Sequence, residues 1–133
     1  MLRRGLAAVV LALSFWQPAV ADFYTGKDIK KFCETKSPIF LGYLAGWTDK
    51  WERDTNAQAR GYEQEKTPQG KRAILAQLQQ TTEGICIPYG ANLGQMQEIL
   101  CKYIDAHPDK LSTGSTELIA QSLSDAWQCE SEE

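Results

Sequence analysis

The sequence predicts an all-α protein, a small bundle of four to five helices stapled by disulfides. Two observations give the helices. Apolar residues recur at spacings of three, four and seven in several segments, and no segment sustains the period-two alternation of a strand. A third observation gives the staples. Residues 1–21 read as an export signal, and Cys33, Cys86, Cys101 and Cys129 all follow it, an even number in a small exported domain.

The signal reading rests on a basic start at Arg3 and Arg4, an uncharged, mostly apolar run from Gly5 to Phe15, and a small-x-small cleavage site at Ala19-Val20-Ala21. Cleavage after Ala21 leaves residues 22–133, one domain's worth of chain with room for a single modest core. A membrane anchor fits less well. The apolar run is about a dozen residues where a span needs roughly 20, and Pro18 interrupts its end.

The first helix starts at Thr25-Gly26-Lys27-Asp28, where a hydroxyl and a carboxylate can cover open amides, and Ile29, Phe32 and Cys33 share one face. Ser37-Pro38 starts the second, because proline at the first helical position loses no needed hydrogen bond. Phe40, Leu41, Leu44, Trp47 and Trp51 lay a wide stripe on the core. Gly42 and Gly46 sit one turn apart on this helix, each costing about 1 kcal/mol against alanine, which predicts a close approach of another backbone there. From Asp54 to Gly70 the chain turns polar, so the second helix is expected to fray into a loop that contains Tyr62, Glu63 and Glu65.

Thr67-Pro68 caps a third helix, with Ile74, Leu75 and Leu78 on one side and a stop near Gly84. Ile85 to Gly90 is extended and then turns. Asn92-Leu93-Gly94-Gln95 has capping-box spacing and opens the best-defined helix, with Leu93, Met96, Leu100, Tyr103 and Ile104 in register until His107-Pro108 ends it. A loop from Asp109 to Gly114 leads to a last helix carrying Leu118, Ile119, Leu123, Ala126 and Trp127, directly before Cys129.

Without the signal's two arginines, 12 basic residues face 17 acidic ones, a formal charge of −5 that argues against a nucleic-acid partner. The acids are scattered except for Glu130, Glu132 and Glu133, which read as a solvated tail. No cofactor is implied. No two cysteines are closer than fifteen residues and His107 is the only histidine, so the ligand spacing of structural zinc is missing and no metal site is assigned. The chain also lacks a nucleophile, base and orienting group in a recognisable set, so no catalytic residue is assigned and the protein reads as a non-enzyme. His107, at a helix end, is better read as a cation favoured by the helix dipole and exposed carbonyls. Trp47 and Trp51 read as core, while Tyr89 and Tyr62 read as loop aromatics. Lys71 and Arg72 open a helix against its dipole, which a salt bridge or a partner would explain.

Three stretches in this order carry a likeness: Leu41-Gly42-Tyr43-Leu44-Ala45-Gly46 with Asp49, Cys86-Ile87-Pro88 followed by Gly94-Gln95, and Ala126-Trp127-Gln128-Cys129. With Tyr103-Ile104 and His107-Pro108 they resemble the Tai/Rap immunity proteins, which guard bacteria against peptidoglycan amidases delivered by type VI secretion. The likeness spans nearly all of residues 22–133. That family usually has a cysteine just before Leu-Gly-Tyr, where this chain has Phe40. Cys101 instead resembles the arrangement of the wider family of the acid-stress chaperone HdeA, and this likeness implies Cys33 with Cys101 and Cys86 with Cys129. Among the three possible pairings, loop-closure entropy agrees with that one without requiring it.

The resemblance further implies a periplasmic protein, free of the membrane after cleavage, that sterically inhibits a secreted amidase. The loop beside the last two helices would enter the enzyme's cleft, here Asp109, Lys110, Ser112 and Thr113. A homodimer through the second helix is compatible with the stripe. An HdeA-like acid-stress chaperone, or a structural envelope protein, is the alternative function.

Overall fold

The computed structural model describes residues 22–129. The export-signal reading of residues 1–21 and the acidic tail lie outside the described residues. Five helices make up the fold: α1 (Gly26–Thr35), α2 (Pro38–Gln64), α3 (Pro68–Thr82), α4 (Leu93–Ala106) and α5 (Ser115–Ala126), with a 3₁₀ turn at Pro108–Lys110. The only β-type pairings among the described residues are two isolated antiparallel bridges, Thr25 with Gly114 and Ile85 with Gln128. The all-α reading therefore holds, and α4 is the hub, packed against α1, α2 and α5.

Local chemistry sets most of the boundaries. At α1 the Asp28 carboxylate accepts from the Thr25 N–H at 2.8 Å and from its hydroxyl at 2.9 Å. At α3 the Thr67 hydroxyl accepts from the Gly70 N–H at 3.1 Å, and Pro68 keeps Thr67 extended at ψ 138°. At α4 the Asn92 and Gln95 side chains bond each other's backbone N–H at 3.1 and 3.0 Å. The stripe on α4 then buries Met96, Leu100 and Ile104 against Ile29, Phe40, Leu44, Leu118, Ile119 and Leu123, and this apolar contact supplies the main cohesion of the fold. Trp47 and Trp51 pack on the rim of that core.

Two expectations are corrected. The polar stretch after Asp54 is not a loop: α2 continues unbroken to Gln64 and places Tyr62 and Glu63 on a helix. Ala57, Ala59, Arg60 and Gln64 favour a helix on their own. The stretch also finds a partner in α3, where Gln58 Nε2 donates to Thr81 Oγ1 at 2.6 Å and the Lys71 ammonium lies 4.9 Å above the Tyr62 ring. That contact accounts for Lys71 in the first turn of α3. The second correction concerns Gly42 and Gly46, where a Cβ would meet nothing within 4 Å among the described residues. The core uses Phe40 and Leu44, half a turn away, so the glycines face outward and no backbone approaches them.

Cys33 is bonded to Cys101, with Cα atoms 5.8 Å apart, tying α1 to α4. Cys86 is bonded to Cys129 at 4.9 Å and joins the segment after α3 to the end of α5. Around the second bridge, Cys86 N–H donates to Trp127 C=O and Cys129 N–H to Gly84 C=O. With 68 and 43 residues separating the partners, each bridge stabilises by roughly 4 kcal/mol in the chain-entropy model.

The Thr25 backbone N–H first, then its hydroxyl, holds the Asp28 carboxyl below its ordinary value of 3.8. A depressed carboxylate pKa contributes stability that is present above the unfolded value and is lost as pH falls through the folded one. Asp28→Ala should therefore lower stability at neutral pH, and the difference from wild type should narrow as pH falls through the folded-state value of the carboxyl, as read by urea unfolding across a pH series.

Candidate functional site

The connection between α4 and α5 is the segment that the resemblance singles out, and its backbone is bonded at His107, Lys110, Leu111, Thr113 and Gly114. Pro108 cannot continue α4, so the chain turns at His107. Lys110 N–H then donates to His107 C=O and Thr113 N–H to Lys110 C=O, both at 3.0 Å. The first turn of a helix leaves amides without intrahelical partners, and α1 spends two of them on this loop. Gly26 N–H donates to Thr113 C=O and Lys27 N–H to Leu111 C=O, each at 2.9 Å.

That approach requires glycine. A Cβ on Gly26 would lie 2.5 Å from the Lys110 carbonyl oxygen and 2.8 Å from Leu111 Cα, both backbone atoms that cannot swing aside. Next to it, Ser115 N–H donates to Tyr24 C=O at 2.9 Å, and Asp22 caps α5 by accepting from the Thr116 N–H at 3.1 Å and its hydroxyl at 2.7 Å. The buried Ser115 hydroxyl is paired with the Tyr43 hydroxyl at 2.7 Å. Residues 22–27 thus lace the loop and the start of α5 to the body of the fold.

Within the loop the four sequence-predicted contact residues separate into two pairs. Asp109 and Ser112 are exposed, whereas Lys110 and Thr113 are half-buried. Lys110 turns its ammonium inward to the Gln121 amide oxygen at 2.7 Å, and Thr113 supplies the carbonyl that Gly26 uses. His107 Nδ1–H donates to the Tyr103 carbonyl at 2.8 Å, and its ring stacks on Tyr103 with centroids 4.1 Å apart. The imidazole is therefore committed to the last turn of α4, as its reading as a helix-end group implies. A shallow groove of about 350 Å³ runs beside it between α4 and α5, lined by Ile99, Tyr103, Ala106, Ser122 and Ala126 among others.

Tyr89, the other loop aromatic, stands fully exposed in the turn closed by Ala91 N–H to Pro88 C=O at 3.0 Å, with Gly90 at φ 84°. Among the described residues, no group of three or more His, Cys, Asp or Glu could hold a metal ion. No helix among them is long and apolar enough to cross a membrane. Sequence reasoning missed Asp22, Gly26 and Gln121. Their partners lie far away along the chain, and no local pattern marks them.

A family model described as Rap1a immunity proteins matches residues 25–129. No curated protein and no solved structure matches the chain. The matched span includes both disulfides, the α4–α5 loop and the first helix that holds it.

The glycines supply a test of this packing. Gly26→Ala should destabilise by about 1 to 3 kcal/mol, because backbone must move to admit the methyl group. Gly42→Ala and Gly46→Ala, which enter open space, should each stabilise by up to about 1 kcal/mol. Chemical denaturation of the three variants reads both signs.

Proposed function

The chain belongs to the Rap1a immunity protein family, and from that premise we propose that it binds a type VI secreted peptidoglycan amidase in the periplasm and blocks it without performing a reaction itself. One observation carries the proposal beyond the family. The loop expected to meet the enzyme has its backbone fastened to the start of α1 while Asp109 and Ser112 stay exposed. A preorganised loop loses little entropy on binding, so its polar side chains can contribute affinity that a mobile loop would forfeit. Blockage is steric, with the loop filling the substrate cleft.

The motif order, the export-signal reading and the disulfides support the cellular setting, since such bridges persist in oxidising compartments. The α2 stripe that would suit a homodimer is spent on the monomer's own core through Phe40 and Leu44.

Protein recovered from the periplasm should begin at Asp22 and bind its amidase below micromolar concentration, with loss of peptidoglycan cleavage. Asp109→Ala combined with Ser112→Ala should weaken the complex at least about tenfold, or about 1.4 kcal/mol, with unchanged thermal stability. Light scattering on the same samples gives the stoichiometry. The inhibitor reading fails if the amidases secreted by rival cells form no complex at micromolar concentration.

A further inference from the structure

We propose that Gln121 is a positioning residue for the α4–α5 loop, and that Lys110 belongs to this internal clamp and not to the surface that touches the partner. The inference rests on the inhibitor reading for its functional consequence, and on the free protein's geometry for the clamp itself.

Gln121 lies in the middle of α5 and bonds three other side chains. Its amide oxygen accepts from the Lys110 ammonium at 2.7 Å and from the Tyr103 hydroxyl at 3.1 Å, while its amide nitrogen donates to Glu117 Oε1 at 2.8 Å. Lysine can only donate, so the oxygen must face Lys110 and the nitrogen must face Glu117. The amide consequently has one productive orientation. The Lys110 ammonium also lies 5.9 Å from the centre of the Tyr103 ring, on which it can rest as a cation. Tyr103 in turn stacks on His107, the residue at which α4 ends.

The clamp thus joins the last turn of α4, the loop and α5 through one oxygen atom. It holds the Lys110 side chain, while Gly26 and Lys27 hold the loop backbone through the carbonyls of Thr113 and Leu111. Held in both ways, the loop has Asp109 and Ser112 left for an incoming surface. A lysine that served the partner directly would gain from an extended, solvated ammonium, whereas this one is half-buried and spent on a neutral oxygen.

The two roles of Lys110 separate in a double-mutant cycle. Affinity for the amidase would be measured for the full chain, Lys110→Met, Gln121→Met, their combination, and the exchanged pair Glu117→Gln with Gln121→Glu. Each single variant should lose about five- to tenfold, and the combination no more than about twofold beyond either, because both break the same bond. The exchanged pair should stay within about twofold of wild type, since a carboxylate at 121 still accepts from Lys110 and Tyr103 and an amide at 117 can donate to it.

Hydrogen exchange on the unbound proteins is the second arm. The Lys110 and Thr113 amides should exchange at least about fivefold faster in both Met variants and at the wild-type rate in the exchanged pair. Multiplicative losses in the cycle would make Lys110 a direct contact and overturn the inference, as would unchanged exchange in Gln121→Met. If the wild-type chain itself binds no amidase, the inhibitor reading is what fails, and the exchange arm alone decides the clamp.

Discussion

Two backbone hydrogen bonds, from Gly26 and Lys27 to the carbonyls of Thr113 and Leu111, are the contact on which the arrangement of this protein depends. They satisfy amides that the start of any helix leaves open, and they do so with carbonyls that a loop of this kind would otherwise leave to water. The approach is close enough that only hydrogen fits at Cα of residue 26. The Cys33–Cys101 bridge fastens the same helix to α4 about two turns later, so α1 works as a bracket between the hub helix and the loop.

The rest of the fold divides into two parts of different character. The body is α1, α4, α5 and the first half of α2, with an apolar core and both ends of each disulfide on it or at its edge. The second half of α2 and α3 form a polar hairpin in which α3 contributes no buried residue. Stability therefore concentrates where the loop is rooted. Glu83 marks the end of the hairpin in a left-handed conformation at φ 51°, with its carboxyl pushed upward first by burial and then by the charge of Glu117. The hairpin thus ends on a residue that works against its own stability, unlike the capped starts of α1, α3 and α4.

Sequence chemistry located whatever depends on neighbours within a turn. The Thr25–Asp28 pair, Thr67-Pro68, Asn92 with Gln95 and the break at His107-Pro108 all stand where capping and proline rules put them, and the α4 stripe is the one that is buried. The failures come from contacts between distant residues. Polar composition after Asp54 suggests a loop because no apolar stripe runs through it, while α3 supplies a polar partner instead. Paired glycines suggested close packing because their cost in a helix invites compensation, yet Gly42 and Gly46 face outward. The loop residues were legible only as a group. That Lys110 turns inward while Asp109 stays outside depends on Gln121 and Tyr103, which no spacing connects to them.

Under the proposed function, the inhibitory loop has its shape set by hydrogen bonds before it meets anything. Backbone amide order parameters from nitrogen-15 relaxation of the unbound protein, read at Asp109 to Gly114, test that most directly. Values near about 0.85, equal to those of α4 and α5, are the result this account requires, whereas values below about 0.6 would mean that the loop gains its shape only on contact and would contradict it.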